Sequence, residues 1–162
     1  MAGVRFGYFI GSRQIEQARK VACLACIWSL AAGTLLAFGM LFGRPLAAAL
    51  FVPDSALALF MPAWLVAAAA QPISALSFVT DGIHWGTGDF RYLKKVVVLA
   101  TGCGVITIQL LDLSQPGSFT RIWLIIAFWI LIRGLLGVLR IWPGIGKAPL
   151  GQGIKHRDNS EF

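Results

Sequence analysis

The chain has 162 residues, of which 57% are hydrophobic and 13% are charged, and its mean hydropathy is +0.76. A soluble domain usually carries about 25% charged residues, so this composition excludes an ordinary soluble protein and indicates a membrane protein. The net charge of +7 does not indicate a nucleic-acid partner, because Lys and Arg stand in short clusters between apolar runs and form no continuous basic face.

The first 20 residues contain an apolar stretch that Arg5 interrupts, so they do not read as a secretory signal. Gly3, Gly7 and Gly11 are four residues apart and share one helical face, where a second helix could approach closely. We interpret residues 1–20 as the end of a truncated spanning helix followed by a cytoplasmic connection. The alternative is an amphipathic helix at the membrane surface.

Four apolar segments follow, and each is long enough for one crossing of the roughly 30 Å hydrocarbon layer at about 1.5 Å per residue. We place these transmembrane helices at 21–43, 55–81, 92–111 and 122–142. Arg44 and Pro45 are expected to end the first, and Pro62 and Pro72 to bend the second. Residues 143–162 are polar and rich in Gly, which predicts a mobile cytoplasmic tail. The predicted fold class is therefore an all-α integral membrane protein.

Lys and Arg alternate in number along the segments that flank these helices. In chain order the counts are 4, 1, 3, 1 and 4, with Arg133 alone inside a span. Under the positive-inside rule, this alternation places both ends and the middle turn in the cytoplasm. The sequence thus predicts a multi-pass protein of the inner (plasma) membrane, with membrane lipids as its immediate partners.

The second span carries a polar stripe. Gln71, Ser74, Ser77 and Asp81 recur every three or four residues, so on a helix they lie along one side. These four residues are candidates for lining a substrate cavity. Hydrogen bonding between helices is about as good an explanation for the uncharged members of the stripe. His84 and Trp85 follow Asp81 and are expected at the level of the lipid headgroups.

Asp81 and Arg133 are ionisable residues inside predicted spans. Counted from the charged turns at about 1.5 Å per residue, both lie roughly 8 to 10 Å from the inner boundary. Two opposite charges in a low-dielectric layer are tolerable when they are paired, so we predict an Asp81–Arg133 ion pair. Its role is either structural or proton-coupling. Arg133 could instead snorkel inward or meet Asp89.

The sequence shows no catalytic or metal-binding pattern. Cys23 and Cys26 form a C-x-x-C, but the further ligands of a zinc site and the βαβ context of a redox pair are missing. No grouping of Ser, His and Asp, paired carboxylates or clustered His occurs at membrane depth. We predict that the chain is not an enzyme and that it uses no metal and no cofactor.

Two stretches carry a resemblance to a known family. The opening GVRFGYFIGSRQIEQARK and the stretch QPISALSFVTDGIHWGTGDFRYLKK at 71–95 resemble the C-terminal lobe of MATE-family multidrug efflux transporters, with the DinF-like branch as the nearest. The residues that carry it are Gly7, Gly11, Ala18 and Arg19, then Phe78, Val79, Asp81, Gly82 and Ile83, followed by Gly86, Gly88, Asp89 and Arg91. The resemblance extends to about Trp142.

The resemblance implies a protein with two six-helix lobes around a central cavity, which exchanges drugs or organic cations against protons or sodium. It places the four spans as the ninth to twelfth of twelve. The N-terminal lobe, with the carboxylate that the DinF-like branch is thought to use for proton coupling, has no counterpart in this sequence. Ser74 stands where the sodium-coupled branch has an acidic residue, so that site is not carried over.

Three classes of function follow. The first is a part of a MATE-type antiporter that needs the missing N-terminal lobe, or the full-length parent, to be active. The second is a small four-helix transporter that acts as a dimer, although 21–43 lacks the glutamate that such exporters carry. The third is a non-transporting membrane scaffold, against which the polar stripe from Gln71 to Asp81 weighs.

Overall fold

A computed structural model describes residues 2–12, 14–142 and 150 of the chain. Its helices are α1 (Ala2–Gly11), α2 (Ile15–Phe51), α3 (Leu57–Thr87), α4 (Phe90–Gln109) and α5 (Ser118–Ile141), with a short 3₁₀ turn at Asp54–Ala56. Four of these elements, Ile15–Phe51, Asp54–Thr87, Phe90–Gln109 and Ser118–Ile141, are long and apolar enough to cross a membrane. The predicted fold class is confirmed.

Helix α2 is longer than the first predicted span at both ends. It begins at Ile15 and passes through Pro45 to end at Phe51, so the prediction that Arg44 and Pro45 end this helix is wrong. A proline removes one backbone N–H donor, and the following LAAALF consists of residues that favour or tolerate a helix. The helix instead ends where Val52 precedes Pro53, since a residue before proline is pushed toward the extended conformation that Val52 adopts.

Helix α3 lies at the centre of the bundle, between α2 and α5. It contains both Pro62 and Pro72 and ends at Gly88, whose φ of 72° is the left-handed conformation that glycine adopts readily. Helix α4 packs mainly on α5, and α1 packs across α2 and α3. Between α4 and α5, the Asp112 carboxylate accepts hydrogen bonds from the Ser114 hydroxyl and N–H, which lower its pKa.

Small residues fill the helix contacts while large apolar residues face outward. Ala22, Ala68 and Ala100 are fully buried, whereas Phe42 and Phe78 are 82% and 70% exposed. This distribution is the reverse of a soluble core and is typical of helices that pack by close approach in lipid. The multi-pass membrane architecture therefore follows from burial as well as from hydropathy.

Two glycines permit the closest approaches to α3. A β-carbon on Gly33 of α2 would lie 2.8 Å from the carbonyl oxygen of Gln71 and 2.8 Å from the Cα of Pro72. A β-carbon on Gly7 of α1 would lie 2.5 Å from the carbonyl oxygen of Gly86. Of the glycine face predicted in the opening segment, Gly7 makes this contact, and nothing lies within 4 Å of such an atom on Gly11.

The segment predicted as a tail, 143–162, lies outside the described residues except for Leu150. The Leu150 side chain is buried against the start of α2 and the last turns of α3 and α5, beside Ala18, Ile83 and Ile141. Its carbonyl oxygen accepts a hydrogen bond from Arg19 Nη2 at 2.7 Å. The chain after α5 therefore touches the start of α2.

Candidate functional site

The polar stripe of α3 faces α5 in the C-terminal half of the helix. Ser77, Thr80 and His84 are buried, and the Thr80 hydroxyl donates to the carbonyl oxygen of Ser77 at 2.8 Å. Bonding back to its own helix lets a hydroxyl be buried without a partner on the next helix. The Ser77 side chain is 3% exposed, so it lies at a helix contact and not on an open cavity.

Side chains of this stripe pack against two glycines of α5. The Ser77 side chain lies over Gly134, where an added β-carbon would be 3.6 Å from Ser77 Cβ. Thr80 lies over Gly137, where an added β-carbon would be 2.6 Å from Thr80 Oγ1. Residue numbers rise together on the two helices, so α3 and α5 run parallel at this contact.

Two ion pairs flank the contact between α3 and α5. Arg133 Nη2 donates to Asp81 Oδ2, and the two side chains are each 16% exposed. Arg140 Nε donates to Asp89 Oδ2 at 2.9 Å, with exposures of 13% and 17%. The structure therefore brings together Asp81 and Arg133. Asp89 forms its ion pair with Arg140 and not with Arg133.

Aromatic rings cover both guanidinium groups. The Arg133 guanidinium carbon lies 4.8 Å from the centre of the Trp129 ring, and that of Arg140 lies 4.8 Å from the Tyr92 ring. Tyr92 also donates to the carbonyl oxygen of Leu136 at 2.9 Å, which joins α4 to α5. A cation over an aromatic face is stabilised further where water is scarce, so the rings strengthen both pairs.

His84 is enclosed between the two ion pairs. Its side chain is fully buried, its Nε2 lies 3.3 Å from the carbonyl oxygen of Gly137, and its Nδ1 lies 3.9 Å from Asp89 Oδ2. The His84 ring packs against α5 inside the bundle, where the glycine at 137 leaves room for it, and its depth at the headgroup level stays a prediction. Trp85, one residue on, points away from the bundle and is 65% exposed.

The N-terminal part of the stripe borders a small cavity between α3 and α5. Gln71 and Ser74 line it together with Ala67, Ala70, Trp123 and Ile126, and its volume is about 60 Å³. That is room for about two water molecules at roughly 30 Å³ each, far below the roughly 300 Å³ of a drug-sized pocket. Ser77 and Asp81 do not line this cavity.

Sequence reasoning missed the Asp89–Arg140 ion pair and the two glycines of α5 against which Ser77 and Thr80 pack. Arg140 reads as a flanking charge that sets topology, and Asp89 reads as a turn residue. Gly134 and Gly137 are three residues apart and share a helical face with Arg133 and Arg140, and this spacing was the available signal. Among the described residues, no group of three His, Cys, Asp or Glu could hold a metal ion.

The sequence of the chain is similar to one family model and to several curated proteins. The family model described as MatE matches residues 2–110. Three curated relatives from Arabidopsis thaliana are similar to the chain. They are Protein DETOXIFICATION 42 (29% identical over 134 residues, 83% of this chain and 25% of the relative), Protein DETOXIFICATION 43 (32% over 80 residues, 49% and 15%) and the chloroplastic Protein DETOXIFICATION 44 (28% over 144 residues, 84% and 27%).

The chain spans between 15% and 27% of the length of these relatives. No solved structure is significantly similar to it. The match to the family model covers α1 to α4, and the alignments with two of the relatives cover more than four fifths of the chain.

Proposed function

Because the chain belongs to the MatE family, we propose that it supplies helices of the C-terminal lobe of a secondary antiporter. In this proposal the transporter exports drugs or organic cations in exchange for protons or sodium. The four long helices correspond to the ninth to twelfth spans. The DinF-like branch is supported by the run from Phe78 to Arg91, where Asp81, Gly82 and Gly88 stand at the positions of the branch signature.

The observation that carries this proposal is that the polar stripe of α3 lines no passage in the described part of the chain, because Ser77 and Thr80 pack on glycines of α5 and Asp81 is bound by Arg133. The recess beside Gln71 and Ser74 holds about 60 Å³, and the larger recesses, about 160 Å³ between α4 and α5 and about 290 Å³ beside Trp64, are lined almost wholly by apolar residues. None of these three could carry a cation across a membrane. A pathway at a lobe interface therefore needs a second wall, on the same polypeptide or on a partner.

We assign Asp81 a structural role within this wall. Its carboxylate is held by Arg133 of α5, and the side chain is mostly buried, which suits a tie between parallel helices better than an exchange site. A carboxylate that binds protons or sodium in turn with substrate has to be released during the cycle. Loss of coupling with normal folding in Asp81→Asn would contradict this assignment.

The orientation proposed is cytoplasmic ends and a cytoplasmic α3–α4 turn, in the inner (plasma) membrane. The Lys and Arg alternation supports it. Arg19, Arg91 and Arg140 also belong to one end of the described bundle, since Gly7 packs at Gly86 and Arg19 binds Leu150. An impermeant thiol reagent on intact cells should modify Ser118→Cys and spare Ser160→Cys, and the reverse pattern would invert the topology.

Reconstitution tests the proposed need for a second wall. We expect the purified 162-residue chain to show no proton- or sodium-driven movement of a fluorescent organic cation into or out of proteoliposomes. Empty liposomes set the baseline, and a full-length MATE transporter reconstituted in parallel shows that the assay works. Gradient-driven transport by the chain above the baseline would contradict the proposal and favour the small dimeric transporter.

A further inference from the structure

The α3–α4 corner, defined here as residues 85–99, presents cations and aromatic rings on one surface. Arg91, Lys94 and Lys95 lie within one helical turn of each other on α4, and all three are exposed. Residues at spacings of three and four share a helical face. The corner therefore has a compact cationic patch and not three scattered charges.

The carboxylates of this region do not offset the patch. Between Leu57 and Gln109 the sequence has two acidic residues, Asp81 and Asp89, and each is bound by an arginine of α5. Asp89 immediately precedes α4 but makes no side-chain cap to it, because its carboxylate is turned to Arg140. In the part of the chain that the structure describes, none of the three cations forms an ion pair with a carboxylate.

An aromatic pair lies beside the cations. The Trp85 and Phe90 rings meet edge to face, with centres 5.5 Å apart, and both are exposed. Phe90 precedes Lys94 by four residues and is on the same side of α4. Exposed Trp and Phe next to cations are suited to the boundary between headgroups and acyl chains.

Apolar side chains continue the surface away from the cations. Val98 and Leu99 are 63% and 56% exposed, and they follow Lys94 and Lys95 by four residues each. The same two rows of α4 thus change from cationic to apolar within one turn. An acyl chain running along α4 would keep its headgroup at the level of the three cations.

We propose that the α3–α4 corner is a binding site for an anionic phospholipid. Arg91, Lys94 and Lys95 contact the headgroup phosphate, Trp85 and Phe90 pack at the glycerol level, and Val98 and Leu99 contact an acyl chain. A zwitterionic lipid carries a cationic group that the three side chains repel, so the site selects net negative charge. The occupant is a membrane lipid and not a free phosphate, because the exposed Val98 and Leu99 add apolar contacts that a free phosphate cannot make.

Native mass spectrometry of the 162-residue chain in a non-ionic detergent tests this site. With phosphatidylglycerol and phosphatidylcholine of the same acyl composition as probes, we expect the anionic lipid to bind about tenfold more tightly at low salt, at about twofold for each exposed cation. The triple variant Arg91→Gln/Lys94→Gln/Lys95→Gln should lose most of that preference. The control Arg44→Gln/Arg121→Gln, which removes cations of α2 and α5 outside the α3–α4 corner, should keep it.

Two results would overturn the proposal. The first is equal binding of the two lipids by the unaltered chain. The second is a preference that the triple variant retains in full. Glycerol 3-phosphate serves as the soluble headgroup probe: failure to displace the lipid at millimolar concentration supports a lipid site, and displacement at the affinity of the lipid contradicts it.

Discussion

Replacing Arg133 with Gln is expected to lower the free energy of unfolding by about 3 kcal/mol, because the substitution leaves the Asp81 carboxylate mostly buried without its partner. Asp81→Asn should be costly for the same reason, since it strands the guanidinium beneath Trp129. The free energy is measured by following helicity as a denaturing detergent is added to mixed micelles. Arg121→Gln, an exposed residue at the start of α5, is the control and should change little.

A double-mutant cycle separates the pair from its surroundings. The loss in Asp81→Asn/Arg133→Gln should be smaller than the sum of the single losses, because no charge is then stranded. The swap Asp81→Arg/Arg133→Asp should recover part of the stability. Additive losses without any recovery in the swap would mean that the two side chains act independently.

Gly33→Ala is expected to lower the free energy of unfolding by about 2 kcal/mol, because the new methyl group would meet the backbone of Gln71 and Pro72 at 2.8 Å. Backbone atoms cannot turn aside as a side chain can, so α2 and α3 have to move apart. The same detergent titration measures the loss.

Gly39→Ala is the matched control for Gly33→Ala. It lies on the same helix with nothing within 4 Å of an added β-carbon, so it should be neutral or stabilise by up to about 1 kcal/mol through helix propensity. Equal effects of the two substitutions would show that α2 does not use Gly33 to approach α3.

The sequence predicted well the features that can be read by counting along the chain. Hydropathy gave the number of long helices, and the motif from Phe78 to Arg91 pointed to the family that the comparisons identify. Equal depth of Asp81 and Arg133 pointed to their contact, since depth can be counted in residues. Each of these signals needs no knowledge of which helices are neighbours.

The features that the sequence did not predict depend on which helix faces are in contact. Ser74 and Ser77 look alike in a periodic stripe, yet only Ser77 is buried, because Gly134 of α5 lies beneath it. Whether Asp89 pairs with Arg133 or with Arg140 depends on how far α5 is shifted along its axis relative to α3. That shift cannot be found by counting residues. The end of α2 was misplaced because Pro45 is a weak stop when good helix formers follow it.

The central claim is that the polar stripe of α3 packs against α5 instead of facing an aqueous passage, and a cysteine cross-link tests it most directly. A β-carbon on Gly134 lies 3.6 Å from Ser77 Cβ, within the roughly 3.5–4.5 Å that a disulfide spans. The three native cysteines, Cys23, Cys26 and Cys103, are first replaced by Ala. Ser77→Cys/Gly134→Cys is then oxidised in membranes with a lipid-soluble catalyst, and free thiols are counted by mass tagging after denaturation.

We expect both thiols of Ser77→Cys/Gly134→Cys to be consumed by an intramolecular disulfide. The control pair Ser77→Cys/Gly102→Cys should retain its thiols, since nothing lies within 4 Å of a β-carbon on Gly102. Ser77→Cys alone should resist a water-soluble thiol reagent before denaturation. Free thiols in the first pair, together with rapid labelling of Ser77→Cys by that reagent, would place the stripe on a passage and contradict the account.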